Sequence, residues 1–399
     1  MVEGDASDWM AMEDAIASVL PRGGVSPDRP RLLREIAAYA VAVVAEARRL
    51  GALSPTPAEC GRALEWLDRP VFVCGHHRTG TTLLLDLLDG HPAIRVLPNE
   101  GTYLTMLRYA ARSDASPRDT DRFTAEWISR LVDPNFEPHF LLGRSSADDN
   151  PSLCFARRLL GWQAALLAAW PGRSPFALLM ALVAAFGDVV SPGAKPTMWA
   201  EKTPLNERYV DRLARTFPEA RFIQLVRDPF MTLASVVEAY RSPGSGRPGP
   251  PSCFSHVRSI RRSLRLAIRN RRLWSGRYLV IRYEDLTREP QAVMELVLAH
   301  LAIAGSPALG TPTVLGQPVR SNSSFERGAA GVIVAPRSKP DLTTDVTEIV
   351  QAVAAAAARA LGYDVATLPL VRRITVLARG LPGHARSRIG DGLRRIRSQ

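Results

Sequence analysis

Val71-Phe72-Val73-Cys74-Gly75-His76-His77-Arg78-Thr79-Gly80-Thr81-Thr82-Leu83-Leu84-Leu85 is the stretch on which the fold turns. It reads as strand, tight loop and helix. Val71 to Cys74 is a short apolar run of the kind a buried parallel strand needs. Gly75 and Gly80 bracket a loop dense in backbone donors. From Thr81 onward, Leu83, Leu84, Leu87 and Leu88 give a helix its apolar face. Gly90-His91-Pro92 ends that helix, with glycine past the last turn and proline soon after. A strand that feeds a helix N-terminus through such a loop cradles an anion, because backbone N–H groups and the positive end of the helix dipole converge there. The usual phosphate loop is G-x-x-x-x-G-K-[ST]. Here Thr81 stands where the lysine belongs, and a cation has appeared inside the loop at Arg78. Loss of that lysine argues against ATP, whose β- and γ-phosphates it serves beside magnesium.

Working outward, strands and helices alternate. Helical spacing fills residues 10–67, through Leu32-Leu33, Ile36, Ala37, Ala40 and Val43-Val44. Further strands are expected around 94–97, 197–200, 221–226 and 277–283. Helices are expected at 207–217, after Pro229, at about 256–273 and at 291–302. Residues 103–190 read as largely helical, and 242–251, rich in glycine and proline, as a mobile loop. The alternation predicts an α/β fold with a doubly wound, P-loop-like parallel sheet flanked by helices, whose ligands bind at the carboxyl ends of the strands. The predicted organisation is a helical N-terminal extension (1–69), an α/β domain (70–369) with a mainly helical insertion (103–190), and a basic tail (370–399).

Lys+Arg 51 against Asp+Glu 39 gives a net charge of +12 over 399 residues. Residues 256–277 hold eight arginines and no acid, and 370–399 hold eight arginines and one acid, so the rest is close to neutral. The plain reading of both runs is a solvated face or tail. The tail's Leu393 and Ile396 beside arginines also raise a peripheral contact with an anionic membrane, against a reading of disorder. Cys60, Cys74, Cys154 and Cys253 lie far apart, with no zinc spacing and no disulfide framework. The acidic stretch from Met1 to Asp14 does not read as a secretory signal, and no apolar run reaches about 18 residues. A cytoplasmic location is the expectation.

Leu225-Val226-Arg227-Asp228-Pro229-Phe230, with Ser235 eight residues beyond the arginine, resembles the 3′-phosphate-binding motif of the sulfotransferases. The loop from Gly75 to Leu83 resembles their 5′-phosphosulfate loop, and Tyr283-Glu284-Asp285-Leu286 their strand-end Y-E-D-L. The resemblance covers roughly residues 70–300 and is nearest to the branch of protein-tyrosine sulfotransferases and related bacterial enzymes. It implies 3′-phosphoadenosine 5′-phosphosulfate (PAPS) as cosubstrate, with no metal. By this resemblance His77, Arg78, Thr79, Gly80, Thr81 and Thr82 hold the 5′-phosphosulfate, Arg227 and Ser235 the 3′-phosphate, and Tyr283 packs near the adenine. Arg78 stands beside the transferring group. Glu100, just past the second strand, is the general base, with Asp89 a weaker rival. Lys202, in Glu201-Lys202-Thr203-Pro204-Leu205-Asn206, touches the sulfuryl group or the leaving phosphate. Asn322-Ser323-Ser324-Phe325 and Arg327-Gly328 resemble a donor-closing segment, with Ser323 or Ser324 at the sulfuryl end and Arg327 on the 3′-phosphate, though the usual tryptophan stretch does not follow.

The chemistry agrees with these residues. Sulfuryl transfer, like phosphoryl transfer, rests on positioning and charge stabilisation, and guanidinium suits bidentate phosphate binding. A base at Glu100 needs burial to raise its pKa toward working pH. The acceptor is a hydroxyl or phenol. Trp127, Trp162 and Trp170 in the insertion suit a hydrophobic or aromatic alcohol, with peptide tyrosine, sugar and lipid head group all open. Two competing readings are a P-loop kinase using ATP and a basic non-enzymatic protein that binds nucleic acid or membrane. No nucleic-acid module supports the latter, and none is expected as a partner.

Overall fold

The structure is a computed structural model and describes residues 10–14, 28–104, 117–133, 150–170, 174–241, 253–306, 310–320, 328–334 and 342–380. Ser323, Arg327, the loop at 242–251 and the last nineteen residues of the tail lie outside the described residues.

Five strands, β1 (Pro70–Gly75), β2 (Ile94–Glu100), β3 (Met198–Lys202), β4 (Arg221–Val226) and β5 (Tyr278–Arg282), form one sheet in the order β2-β3-β1-β4-β5. Every pairing in it is parallel. Parallel strands need crossovers, and helices supply them on both faces. The period-2 alternation of β1 divides the core. Phe72 and Cys74 join the cluster under the N-terminal and insertion helices, whereas Val71 and Val73 face Leu84, Leu88, Met294 and Leu298. Phe72, Phe222 and Tyr278 are in register across β1, β4 and β5, and their rings stack at 5.7 and 5.9 Å between centroids. Trp199 closes the ladder edge-on to Phe72, its indole N–H donating to the Leu67 carbonyl at 2.8 Å.

The N-terminal helices Arg29–Leu50 and Pro57–Leu67 form as expected. The second is opened by a capping box between Thr56 and Glu59. Insertion helices run Pro117–Val132, Pro151–Ala169 and Ser174–Val190. Trp127 and Trp162 are core there, the latter bonded to Asp188. Both pack the core of the insertion, the role an ordinary buried indole has. Leu370–Arg379, the start of the expected tail, is a helix packed on Thr344–Arg359 through Val376 and Leu377. Arg372 pairs with Glu348 and Arg379 with Asp345. Those ten residues are therefore part of the folded body. No described helix is long and apolar enough to cross a membrane.

Candidate active site

Each strand of the sheet ends on, or one residue before, a residue singled out by sequence, so the candidate site lies along one edge. The loop after β1 starts at Gly75, whose φ of 145° is open to glycine. A Cβ there would stand 2.7 Å from the Leu225 carbonyl and from Thr79 Oγ1. Gly75 N–H donates to the buried Glu207 carboxylate at 3.2 Å, and its carbonyl accepts from Leu205 N–H at 2.8 Å. Ser263 donates to the other Glu207 oxygen at 2.6 Å. Burial raises the Glu207 pKa, against these hydrogen bonds. The root of the loop is thus clamped by a carboxylate from beyond β3. Nothing in the local sequence around Glu207 flags that role.

His76 is buried, and its Nδ1–H donates to the His77 carbonyl at 2.9 Å, which leaves Nε2 to accept from Ser259 at 3.2 Å. Burial pulls its pKa down to about 3, so the ring is neutral and structural. His77 is exposed. Arg78 adopts φ 70°, an uncommon conformation for a side chain-bearing residue, as expected where backbone donors are turned inward. Thr79 hydroxyl closes the turn on the His76 carbonyl at 2.7 Å. Gly80 then caps the helix Thr81–Leu88 at φ 94°. Its bare face carries the Tyr283 ring: a Cβ on Gly80 would lie 2.3 Å from Tyr283 Cδ2.

Tyr283 in turn supports Arg227. The guanidinium lies 4.3 Å from the ring centroid, and its Nη1 donates to the Arg78 carbonyl at 2.9 Å. Arg227 is 8% exposed and its Nε has no hydrogen-bond partner among the described residues. A buried guanidinium N–H of that kind is the donor an anion would satisfy. The neighbouring Asp228 caps the helix Pro229–Arg241, accepting from the N–H groups of Phe230 and Met231 at 2.8 and 3.1 Å. Two of the expected site residues are bonded to each other. Ser235, read as a phosphate ligand, accepts from Arg78 Nε at 3.2 Å. Arg78, read as standing beside the transferring group, therefore sends its guanidinium toward the Arg227 side of the cleft.

On the other flank, β2 and β3 end together. Lys202 Nζ donates to Glu100 Oε1 at 2.9 Å, with the Glu100 side chain 34% exposed and that of Lys202 6%. Burial pushes the Glu100 pKa up, but the charge and hydrogen bond of Lys202, with His77 and Arg130 behind, hold it below the ordinary 4.5. The expected upward shift is thus reversed, because the lysine is in direct contact. Arg130 fixes the Glu100 carbonyl at 2.9 Å and the Thr102 hydroxyl at 3.1 Å. Glu201, buried beneath Gly101, accepts from Thr203 and Asn206, and burial lifts its pKa to about 7. It positions the strand end that carries Lys202. Asp89, the rival base, accepts from Thr313 and from Gly316 N–H at 2.8 Å each and so anchors the small β hairpin at 313–318. Asp86, unnoticed in the sequence, is buried in the loop helix, where burial raises its pKa to about 8 against Lys202 and alongside Asp89.

A parallel sheet whose first strand runs through a glycine-bracketed loop into a helix N-terminus defines the phosphate-loop class of α/β proteins. The chain belongs to the Sulfotransferase family, whose sequence pattern matches residues 70–307. It is similar to omega-hydroxy-beta-dihydromenaquinone-9 sulfotransferase Stf3 of Mycobacterium bovis, at 26% identity over 59% of this chain and 63% of that one. The Mycobacterium tuberculosis counterpart matches equally. The match thus spans less than two thirds of the length of these relatives. Among solved structures, sulfotransferase STF9 from Mycobacterium avium aligns over 77% of this chain and 81% of its own, at 19% identity and a TM-score of 0.39. The sulfotransferase domain of the Synechococcus PCC 7002 olefin synthase aligns over 79% and 96%, at 19% identity and a TM-score of 0.35. No cluster of metal-binding side chains occurs among the described residues.

Proposed function

We propose that this protein is a sulfotransferase that moves the sulfuryl group of PAPS to the hydroxyl of an apolar alcohol. The observation that carries the reading is the stack Gly80–Tyr283–Arg227, with Arg227 bonded to the loop carbonyl of Arg78. It puts the two anion-binding motifs side by side at one edge of the sheet. A donor bearing phosphates at two positions fits such a pair, and the buried Arg227 Nε is ready to receive one of them.

When bound, PAPS supplies a sulfuryl group whose bond to the 5′-phosphate oxygen breaks as the acceptor oxygen takes the sulfur. The residues of the chain do the rest. Backbone N–H groups of Gly80, Thr81 and Thr82 hold the phosphosulfate, aided by the helix dipole. Glu100, ionised because of Lys202, receives the proton of the acceptor hydroxyl. Lys202 faces the charge that grows on the leaving oxygen. The omega-hydroxy group in the name of the mycobacterial relative supports an acceptor with a hydroxyl at the end of an apolar chain.

Calorimetry with 3′-phosphoadenosine 5′-phosphate and with ATP, in the absence of metal, tests this. The bisphosphate is expected to bind the wild type, with Arg227→Ala weakening it by at least about 2 kcal/mol, the scale of a hydrogen bond to a charged group. Equal affinity for ATP would overturn the reading.

A further inference from the structure

The helix Cys253–Leu273 carries seven arginines, and the donor site uses none of them. Arg258, Arg261, Arg262, Arg265, Arg269 and Arg272 recur at spacings of three and four, so they share one face, which runs for about 21 Å. All six are exposed. Arg269 pairs with Asp211, and Arg258 donates to the Gly380 carbonyl. Arg261, Arg262, Arg265 and Arg272 have no acidic partner among the described residues, and neither does the neighbouring Arg271. Like charges at i,i+3 and i,i+4 destabilise a helix, and a merely solvated face intersperses acids to avoid that. This helix face carries no acid of its own, and Asp211 offsets only Arg269, so an outside anion would relieve the repulsion among the others.

The stripe also ends on aliphatic side chains. Leu273, 51% exposed, closes it, and Leu296, 53% exposed, lines the same surface cavity as Arg271. Among the described residues, no exposed large aromatic accompanies these arginines, as a single-stranded nucleic acid would need for stacking. Aliphatic side chains that enter the interface, beside arginines that stay at headgroup level, suit a bilayer. We infer that the arginine face of the helix Cys253–Leu273 docks on an anionic lipid surface. The contact is rigidly joined to the donor loop, since Ser259 of this helix bonds His76. It lies on a different element from the basic tail, which meets it at Gly380, and it holds whether or not the proposed acceptor is correct.

Sedimentation of the full chain with vesicles tests it, without turnover. Vesicles of phosphatidylcholine with added phosphatidylglycerol are expected to take up the protein, and phosphatidylcholine alone is not. The surface variant Arg261→Ser/Arg262→Ser/Arg265→Ser is expected to lose at least about tenfold in partitioning, from three charges near the surface. Its unchanged melting temperature and bisphosphate binding would show an intact fold. Leu273→Ser is expected to weaken the part of the binding that survives high salt. Undiminished binding of the triple variant would overturn the inference by placing the contact elsewhere, such as the tail. Equal uptake by neutral vesicles, or tighter binding to duplex DNA than to anionic vesicles, would overturn it as well.

Discussion

Glu100 and Lys202 set each other's chemistry. The lysine is what keeps Glu100 ionised against its burial. Replacement of Lys202 by methionine leaves the burial and removes the charge, so the Glu100 pKa rises. The acid limb of the kcat/KM profile, expected below pH 4.5 in the wild type, should move to higher pH in Lys202→Met. A limb that stays in place would remove Glu100 from the proton transfer. Asp86 gives a second titration with a defined sign. Its folded pKa is raised from 3.8 to about 8, chiefly by burial. The native state therefore holds a proton that the unfolded chain releases, and the stability this contributes is lost as pH rises through about 8. Asp86→Asn should flatten the decline of melting temperature between about pH 5 and about pH 9, by a few degrees. Glu201 and Glu207 leave a residual slope of the same sign. Parallel curves for the two proteins would refute the assignment. Motif residues such as Gly75, Gly80 and Arg227 were legible in the sequence because their neighbours along the chain reveal them. Asp86 and Glu207 were not, since a lone acid in a helical stretch looks the same whether it is buried or solvated. Ser235 was legible as a residue of the site, but its bond to Arg78, 157 positions away, was not.

At the scale of elements, type was easier to read than extent. The strand Arg221–Val226 falls where its apolar run predicts. β3 was expected to stop at 200 and continues to Lys202, because pairing with both β1 and β2 holds it extended. The helix expected from 207 to 217 is instead a short 3-10 turn, Asn206–Arg208, followed by Val210–Thr216. The break follows from Leu205 at φ 72°, where its N–H reaches back to Gly75. Tertiary contacts of this kind leave no trace in local propensity. The loop and its helix meet at Gly80, where any side chain has two penalties: a left-handed backbone costing about 1–2 kcal/mol and a collision with Tyr283. Gly80→Ala should therefore weaken bisphosphate binding by more than about tenfold, since displacing Tyr283 also displaces Arg227. Unaltered affinity in calorimetry would show that the stack is dispensable.

Across the whole molecule, the N-terminal helix is fastened to the insertion by two ion pairs among the described residues, the more exposed Arg48–Asp121 and the buried Arg29–Asp133. Arg29 donates to both oxygens of Asp133, at 2.8 and 2.5 Å, with the two side chains 7% and 0% exposed. Removing Asp133 takes the bidentate counter-charge from a guanidinium in a dry environment, so Asp133→Ala should destabilise the protein by about 3–5 kcal/mol in denaturant unfolding. A loss below about 1 kcal/mol would mean that water reaches Arg29. The two residues are 104 positions apart, and no sequence pattern links them.

The strand-end run at 282–284 makes three long-range attachments in three consecutive residues. Arg282 lies over Tyr363 at 4.4 Å, Tyr283 lies between Gly80 and Arg227, and Glu284 accepts from Asp228 N–H and the Tyr363 hydroxyl. Chain length is thus constrained here more tightly than side-chain identity. One added or deleted residue at the end of β5 re-aims all three attachments together, so descendants of this sequence are free to swap residues at this corner but not to change its count.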